Sequence, residues 1–311
     1  MEINNRVERL GGVYYDRMLK KNMSGYKMVN TPEERRAAEE LKAKMQGVKV
    51  TISPDSLEYL AGVKERKEAE KAAREHWEKE RSLENSFERI GTHFQIFSSA
   101  LEEKGFYDNM SDEEVLEVES ILGDITHSLN GLFGTVKIYP NDDGEELSSH
   151  AARLEVESAT AAMRKFSNKY VPEEMREFFN GLIDQYYEFN SKKLESYRSS
   201  EEAFNELNAE FYDKTESSRV IPLNKGQRAS QLAGKVKISK EDKEMAVKEW
   251  RKCLNALAGG RGGLDEMIGE MSNILKKFAS GNSENKLLLD YVEQWNSPAI
   301  ENARKYWSVL V

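Results

Sequence analysis

The sequence has a single cysteine, Cys253, among its 311 residues. One cysteine excludes an intrachain disulfide and any zinc site built from several cysteines. Cys253 lies among the apolar residues Trp250, Leu254 and Leu257 of an amphipathic helical pattern. We therefore interpret it as a small buried hydrophobic residue rather than a reactive thiol.

Long hydrophobic runs are also missing. The N-terminal residues do not show the charged start and apolar run of a secretory signal. No window approaches the roughly eighteen consecutive apolar residues that a membrane-spanning helix requires. We expect no membrane span and a cytoplasmic location, with export by a route that uses no such signal left open.

Catalytic signatures are absent as well. The sequence has no Ser-His-Asp order, nucleophile elbow, P-loop or dinucleotide-binding loop. Of the four histidines, two have a carboxylate about one helical turn away. Asp124 shares a helix face with His127, and Glu146 shares a helix face with His150. A di-metal site in a helical bundle needs two Glu-x-x-His pairs and two further glutamates. We therefore predict no catalytic residues, no metal ligands and no cofactor, and we keep a helical-bundle metalloprotein or enzyme near His127 and His150 as an alternative.

Proline is scarce, and the remaining composition is typical of helices. Six prolines, 39% apolar residues and 32% charged residues favour long helices that keep one face in water. Helix starts are indicated by Ser53-Pro54, by a capping box from Ser111 to Glu114 and by Pro172. We predict a mainly α protein, an elongated antiparallel bundle of long helices, one of which covers residues 172–214.

Short alternating segments interrupt the helical pattern. Residues 49–53, 135–139 and 235–239 alternate β-branched or apolar residues with polar ones, which predicts either a minor sheet of two or three strands or extended linkers. The chain then divides into short N-terminal helices with a strand-like segment (1–62), a long-helix bundle (63–216), a basic linker (217–239) and a C-terminal helical segment that packs on the bundle (240–311).

The two signs of charge are unevenly distributed. Residues 101–158 contain fifteen acidic and three basic residues, whereas residues 217–240 contain six basic residues and no acidic one. Such an uneven charge distribution affects how a protein meets and binds its partners, but it does not determine the fold. The basic stretch has no aromatic residue to stack on bases, and the net charge of −9 opposes approach to phosphate, so we do not expect nucleic-acid binding. The candidate partner-binding residues of the stretch are Lys225, Arg228, Lys235 and Lys237.

Aromatic residues are concentrated between residues 178 and 212, where nine occur. A coiled-coil-like seam with spacings of three and four residues passes through Phe179, Tyr186, Tyr197, Phe204 and Phe211. We expect this seam to form bundle core, because an exposed stripe of such length favours aggregation. The alternative is a partner groove, for which Tyr197 and Phe204 are the candidate contacts.

Together these patterns favour a non-enzymatic helical interaction or assembly protein. It would act through its helix faces and its charge asymmetry, on a protein partner or on a second copy of itself. One alternative is an inhibitor whose acidic face occupies the basic, nucleic-acid-binding surface of a partner. Nothing in the sequence names the partner.

Overall fold

The computed structural model describes residues 12–14, 17, 84–136, 146–215 and 223–311. The chain divides into two compact units, one of Met1–Tyr15 with Asn85–Val311 and one of Asp16–Glu84. All described residues except Arg17 and Glu84 belong to the first unit. The predicted strand-like segment 49–53, the helix start at Ser53-Pro54 and residues 137–139 lie outside the described residues.

The described residues of this unit fold mainly into α-helices, so the mainly α prediction is confirmed. A short 3-10 turn, Ser86–Glu88, precedes them. The helices are α1 (His93–Glu103), α2 (Asp112–Phe133), α3 (Ser149–Tyr170), α4 (Glu173–Glu195), α5 (Ser200–Thr215), α6 (Lys225–Gly234), α7 (Lys240–Ala258), α8 (Leu264–Ser280) and α9 (Lys286–Leu310).

Helix α3 lies at the centre of the core. It contacts α2, α4, α7, α8 and α9. Buried small residues such as Ala152, Ala159 and Ala162 let these neighbours approach closely, and large rings such as Phe166 and Trp250 fill the remaining space. The indole N–H of Trp250 donates to the carbonyl oxygen of Leu154 at 3.0 Å, so its polar atom is satisfied inside the core. By contrast, α5 packs extensively on α6, and α6 packs in turn on α9.

Of the two alternatives predicted for residues 235–239, the strand is wrong and the extended linker is correct, and the described residues contain no strand. Residues 235–239 connect α6 to α7. Val236 packs on a small cluster with Leu288 and Val292, while Ile238 packs on the main core. The alternation of the sequence therefore reflects an extended connection that buries every second side chain, without a neighbouring strand to accept its hydrogen bonds.

The long helix expected over 172–214 is divided in two. Helix α4 ends at Glu195 and α5 begins at Ser200. Between them, the Ser199 hydroxyl accepts from the Glu202 backbone N–H at 3.1 Å, and the Glu202 carboxylate accepts from the Ser199 backbone N–H at 2.9 Å. This reciprocal pair is the capping box of a new helix.

Part of the range expected as a basic linker is also helical. Asn224 accepts from the Gln227 backbone N–H at 2.8 Å, and the Gln227 side chain accepts from the Asn224 backbone N–H at 3.0 Å. This capping box starts α6 within the range 217–239.

None of the helices in the described residues combines the length and the apolar character needed to cross a membrane.

Candidate functional site

The outer face of α5 carries three large apolar side chains. Phe204, Leu207 and Phe211 are 54%, 66% and 56% exposed. Because they are three and four residues apart, they form one row along the helix, which we call the α5 stripe. The expectation that Phe204 lies in the core is therefore wrong. The first half of the seam is buried, with Phe179 and Tyr186 fully enclosed, but the seam leaves the core where α4 ends.

Two carboxylates hold the start of α5 against the start of α3. Glu202, in the first turn of α5, accepts from the Ser149 backbone N–H at 3.0 Å and from its hydroxyl at 2.6 Å. Glu146, just before α3, accepts from the Ser200 backbone N–H at 2.9 Å. Each helix start therefore receives a carboxylate from the other, where free N–H groups and the helix dipole favour negative charge. These contacts fix the position at which α5 begins.

Tyr197 lies half-buried in the connection between α4 and α5. Its hydroxyl donates to the carbonyl oxygen of Leu147 at 2.6 Å, and its ring meets Phe133 edge-on at 5.2 Å between centroids. Burial raises the pKa of Tyr197 well above its ordinary value, and the nearby Glu146 and Glu202 add to this. The hydroxyl therefore stays protonated and positions the start of α5.

Helices α5 and α6 pack closely and form what we call the α5–α6 pair. The Ser230 hydroxyl donates to Asn205 Oδ1 at 2.6 Å and accepts from Asn208 Nδ2 at 2.8 Å. A Cβ atom at Gly234 would lie 2.1 Å from the carbonyl oxygen of Asn205. Only glycine therefore permits this approach of the two backbones.

The four basic residues expected to bind a partner belong to α6 and to the connection that follows it. Lys225 and Arg228 are exposed in the first turn of α6, and Lys235 and Lys237 are exposed in the segment 235–239. All four are thus carried on or next to the helix that packs against α5. Their contact with a partner stays a prediction.

A cleft of about 580 Å³ lies beside Phe204, and we call it the Trp295 cleft. Its charged groups are the carboxylates of Glu146 and Glu201. Glu201 accepts a hydrogen bond from the Tyr291 hydroxyl, and the Tyr291 ring lies 6.0 Å from that of Trp295 between centroids. Within the described part of the chain, neither carboxylate forms an ion pair with lysine or arginine. The walls are Glu146, Ser200, Glu201, Phe204, Gln294 and Trp295.

A second cleft, of about 430 Å³, contains His150. The imidazole stacks on the Phe278 ring at 5.6 Å between centroids. Burial lowers the pKa of His150 to about 4, although the carboxylate of Glu202 opposes the change. Arg198 and Glu206, which also line this cleft, pair with each other. The charges of the second cleft are therefore largely compensated by its own residues.

His127 on α2 and His150 on α3 were the candidates for a metal centre. Over residues 84–136, 146–215 and 223–311, no group of three or more His, Cys, Asp or Glu side chains is arranged to hold a metal ion. Asp124, the expected companion of His127, forms an ion pair with Lys305 at 3.2 Å. This pair links α2 to α9.

A buried acid in α3 was not anticipated from the sequence. Glu155 is fully enclosed, accepting from Asn302 Nδ2 at 2.8 Å and from the Tyr306 hydroxyl at 3.2 Å. Burial raises its pKa to about 8, although both hydrogen bonds oppose the change. Glu155 is therefore mainly protonated at neutral pH and serves as a polar contact between α3 and α9.

A second buried acid, Glu119 of α2, binds the N-terminal residues. Its carboxylate accepts from the backbone N–H groups of Val13 at 2.8 Å and Tyr14 at 3.0 Å, and from the Ser98 hydroxyl at 2.6 Å. A Cβ atom at Gly12 would lie 2.6 Å from both carboxylate oxygens. Burial raises the pKa of Glu119, and the three hydrogen bonds counteract the shift.

The acid-rich stretch 101–158 does not converge on one site in the described residues. Glu102 and Glu103 are exposed at the end of α1, and Glu113 and Glu114 are exposed in the first turn of α2. Asp108, between α1 and α2, and Glu117, in the second turn of α2, are exposed as well. The exposed acids are therefore spread over the surface, where charge is readily solvated.

Comparison of the chain with protein-family models, with curated proteins and with solved structures returned no match.

Proposed function

We propose that this chain is a non-enzymatic interaction protein that docks a helix of a partner protein on the α5 stripe. The single observation that carries the proposal is the row of Phe204, Leu207 and Phe211, each more than half exposed. Apolar side chains at positions i, i+3 and i+7 are the anchors by which amphipathic helices and helical grooves meet. The exposed apolar surface of these side chains is unfavourably solvated, and a partner that buries it would remove this cost.

The geometry around the stripe supports docking without rearrangement. The first turn of α5 is tied to α3 by the carboxylates of Glu202 and Glu146, and its inner side is tied to α6 by Asn205 and Ser230. A preformed surface loses little conformational entropy on association. From Phe204 to Phe211 the helix rises by about 10 Å, or two turns, which matches the contact of one short helix.

Site-specific photo-crosslinking tests the proposal. The chain carrying p-benzoylphenylalanine at position 207 is irradiated in the cells that produce it, beside a chain carrying the same group at Asn273, an exposed position on α8. We expect discrete adducts from position 207 and none from position 273. Phe204→Asp in the same chain should reduce the adduct yield, because it places a charge inside the apolar contact.

The adducts also distinguish the kinds of partner. A mass equal to two copies of this chain identifies self-association, and any other discrete mass identifies a different protein. Equal yields from positions 207 and 273, or a yield from position 207 that Phe204→Asp does not change, would contradict the proposal.

A further inference from the structure

We infer that the Trp295 cleft receives a lysine or arginine side chain from the helix that docks on the α5 stripe, an inference that rests on the proposed function. The cleft shares Phe204 with the stripe and Trp295 with the second cleft, and its volume of about 580 Å³ is ample for one long side chain. The partner is then a helix with an apolar face and a basic residue at one end.

The charges of the cleft select a cation. Its two ionisable walls are the carboxylates of Glu146 and Glu201, and neither is ion-paired within the described residues. Their hydrogen-bond donors are neutral, namely the Ser200 backbone N–H and hydroxyl for Glu146 and the Tyr291 hydroxyl for Glu201. Each carboxylate retains unused lone pairs that an ammonium or guanidinium can fill. The second cleft differs, because Arg198 already pairs with its Glu206.

The aromatic walls select the same ligand. Phe204 and Trp295 both line the cleft, and the Tyr291 ring lies beside Trp295 at 6.0 Å between centroids. The faces of such rings attract cations, with tryptophan the strongest. They also pack against the apolar stem of lysine or arginine, whose charged head then reaches the carboxylates.

Continuity with the stripe identifies the source of the cation as a docked helix. Phe204 belongs both to the stripe and to the cleft, so one ligand covers them together. Helix α6 of a second copy is a poor fit, because it presents Gly226 and Gln227, not apolar residues, between the exposed Lys225 and Arg228. A different protein with an amphipathic basic helix meets both requirements.

Titration with a small cation tests the cleft directly. N-acetylarginine methylamide is added to the full chain, and the indole N–H resonance of Trp295, assigned by its loss in Trp295→Phe, is followed by NMR. We expect a saturable shift, and no shift with the uncharged N-acetylnorleucine methylamide. The double variant Glu146→Gln and Glu201→Gln, which keeps side-chain size, should weaken binding by about threefold to tenfold.

Two further variants control this experiment. The double variant Glu173→Gln and Glu174→Gln removes the same charge from the first turn of α4. This turn lies about 30 Å along the helix from the last turn, which leads into α5, so the response should not change. Phe204→Leu keeps an apolar wall and both carboxylates but removes one ring, so it should weaken the response without touching the helix caps. Equal shifts from the arginine and norleucine compounds, or no shift from either, would overturn the inference.

Matched peptides test whether one ligand occupies the cleft and the stripe together. Two helical peptides with the same leucine face, one ending in arginine and one in norleucine, are compared by fluorescence anisotropy. We expect the arginine peptide to bind about threefold to tenfold more tightly to the wild type, and equally to the double glutamine variant. Equal affinities for the wild type would overturn the inference while leaving the docking surface intact. Absence of adducts from position 207 would instead refute the docking surface, whatever shift the indole N–H resonance of Trp295 shows.

Discussion

Glu202 links the start of α5 to the start of α3 by accepting hydrogen bonds from Ser149, which lies 53 residues earlier in the chain. One carboxylate oxygen accepts both the backbone N–H and the hydroxyl of Ser149, at 3.0 and 2.6 Å, while the other accepts the Ser199 backbone N–H at 2.9 Å. A single side chain therefore caps α3 and completes the capping box of α5. The carboxylate is placed where both helix dipoles favour negative charge.

Removal of this carboxylate should destabilise the protein. Glu202→Ala leaves the N–H groups of Ser149 and Ser199 without their acceptor, and we expect the free energy of unfolding to fall by about 2–4 kcal/mol. Urea denaturation measures the change. Glu195→Ala, at the exposed end of α4, is the matched control and should stay within about 0.5 kcal/mol of wild type. Similar losses in the two variants would show that the double cap contributes nothing specific.

Two glycines of α6 should respond in opposite directions to the same substitution. Gly234→Ala brings a Cβ atom to within 2.1 Å of the Asn205 carbonyl oxygen, so α5 and α6 must separate and we expect a loss of about 1–3 kcal/mol. At Gly226 the nearest atom to an added Cβ is Asn224 Oδ1 at 3.5 Å, so alanine fits. There we expect a gain of up to about 1 kcal/mol from helix propensity. Thermal unfolding of both variants checks the signs, and a neutral Gly234→Ala would disprove the close approach.

Phenylalanines of the seam should differ according to their burial. Phe179 is fully buried in α4, and Phe179→Ala should cost about 3–5 kcal/mol of unfolding free energy. Phe204 is 54% exposed, so Phe204→Ala should cost less than about 1 kcal/mol. Chemical denaturation of the purified variants makes the comparison. Equal losses of unfolding free energy in the two variants would indicate that Phe204 is buried, which would contradict an exposed α5 stripe.

Local signals in the sequence were sufficient to predict the fold class. The capping box from Ser111 to Glu114 is present as predicted, with backbone-to-side-chain distances of 2.7 and 3.3 Å. Three other boxes of the same spacing, which begin at Thr92, Ser199 and Asn224, were not predicted. The box at Ser199 was hidden because the aromatic seam resumes at Phe204 with the same helical spacing, after an interruption at Ser200. The box at Asn224 lies in a stretch whose basic charge suggested a linker.

The site was harder to predict than the fold, for a physical reason. Helical spacing shows that Phe204 and Leu207 share a face, but the same spacing serves a core and an interface equally well. Their exposure depends on where α5 lies, and contacts with residues about fifty positions away fix this. Trp295 belongs to α9, so its position beside Phe204 follows from tertiary packing alone.

The contribution of Glu155 to stability should decline as pH rises, whereas the buried His93 and His150, whose pKa burial lowers, should contribute stability that increases with pH up to about 6.5. Burial raises the pKa of Glu155 from its ordinary value of 4.5 to about 8. Between these values the unfolded chain releases a proton that the folded chain keeps, so the stabilisation is complete below pH 4.5 and is lost as pH rises toward about 8. We expect this group to contribute a slope approaching about 1.4 kcal/mol per pH unit within that window.

Glu155→Gln tests this assignment. Glutamine keeps an acceptor for Asn302 but does not ionise, so wild type should lose stability relative to the variant as pH rises from 5 to 8 in urea unfolding. The slope that remains in the variant comes from Glu119, whose pKa burial raises, and from His93 and His150, whose pKa burial lowers. The variant should exceed wild type in stability at pH 8, and an unchanged slope would show that Glu155 stays ionised in the folded protein.

The attachment of α5 to the molecule has a consequence for its motion. Because α5 packs extensively only on α6 among the helices that the structure describes, and α6 on α9, the pair can open while the helices around α3 stay closed. Amide protons of α5 and α6 should then exchange with solvent through this partial opening, faster than those of α3, whose exchange requires global unfolding. A ligand seated on Phe204 and Leu207 would slow exchange in the pair alone, so hydrogen exchange can register occupancy of the surface even where the melting temperature does not move.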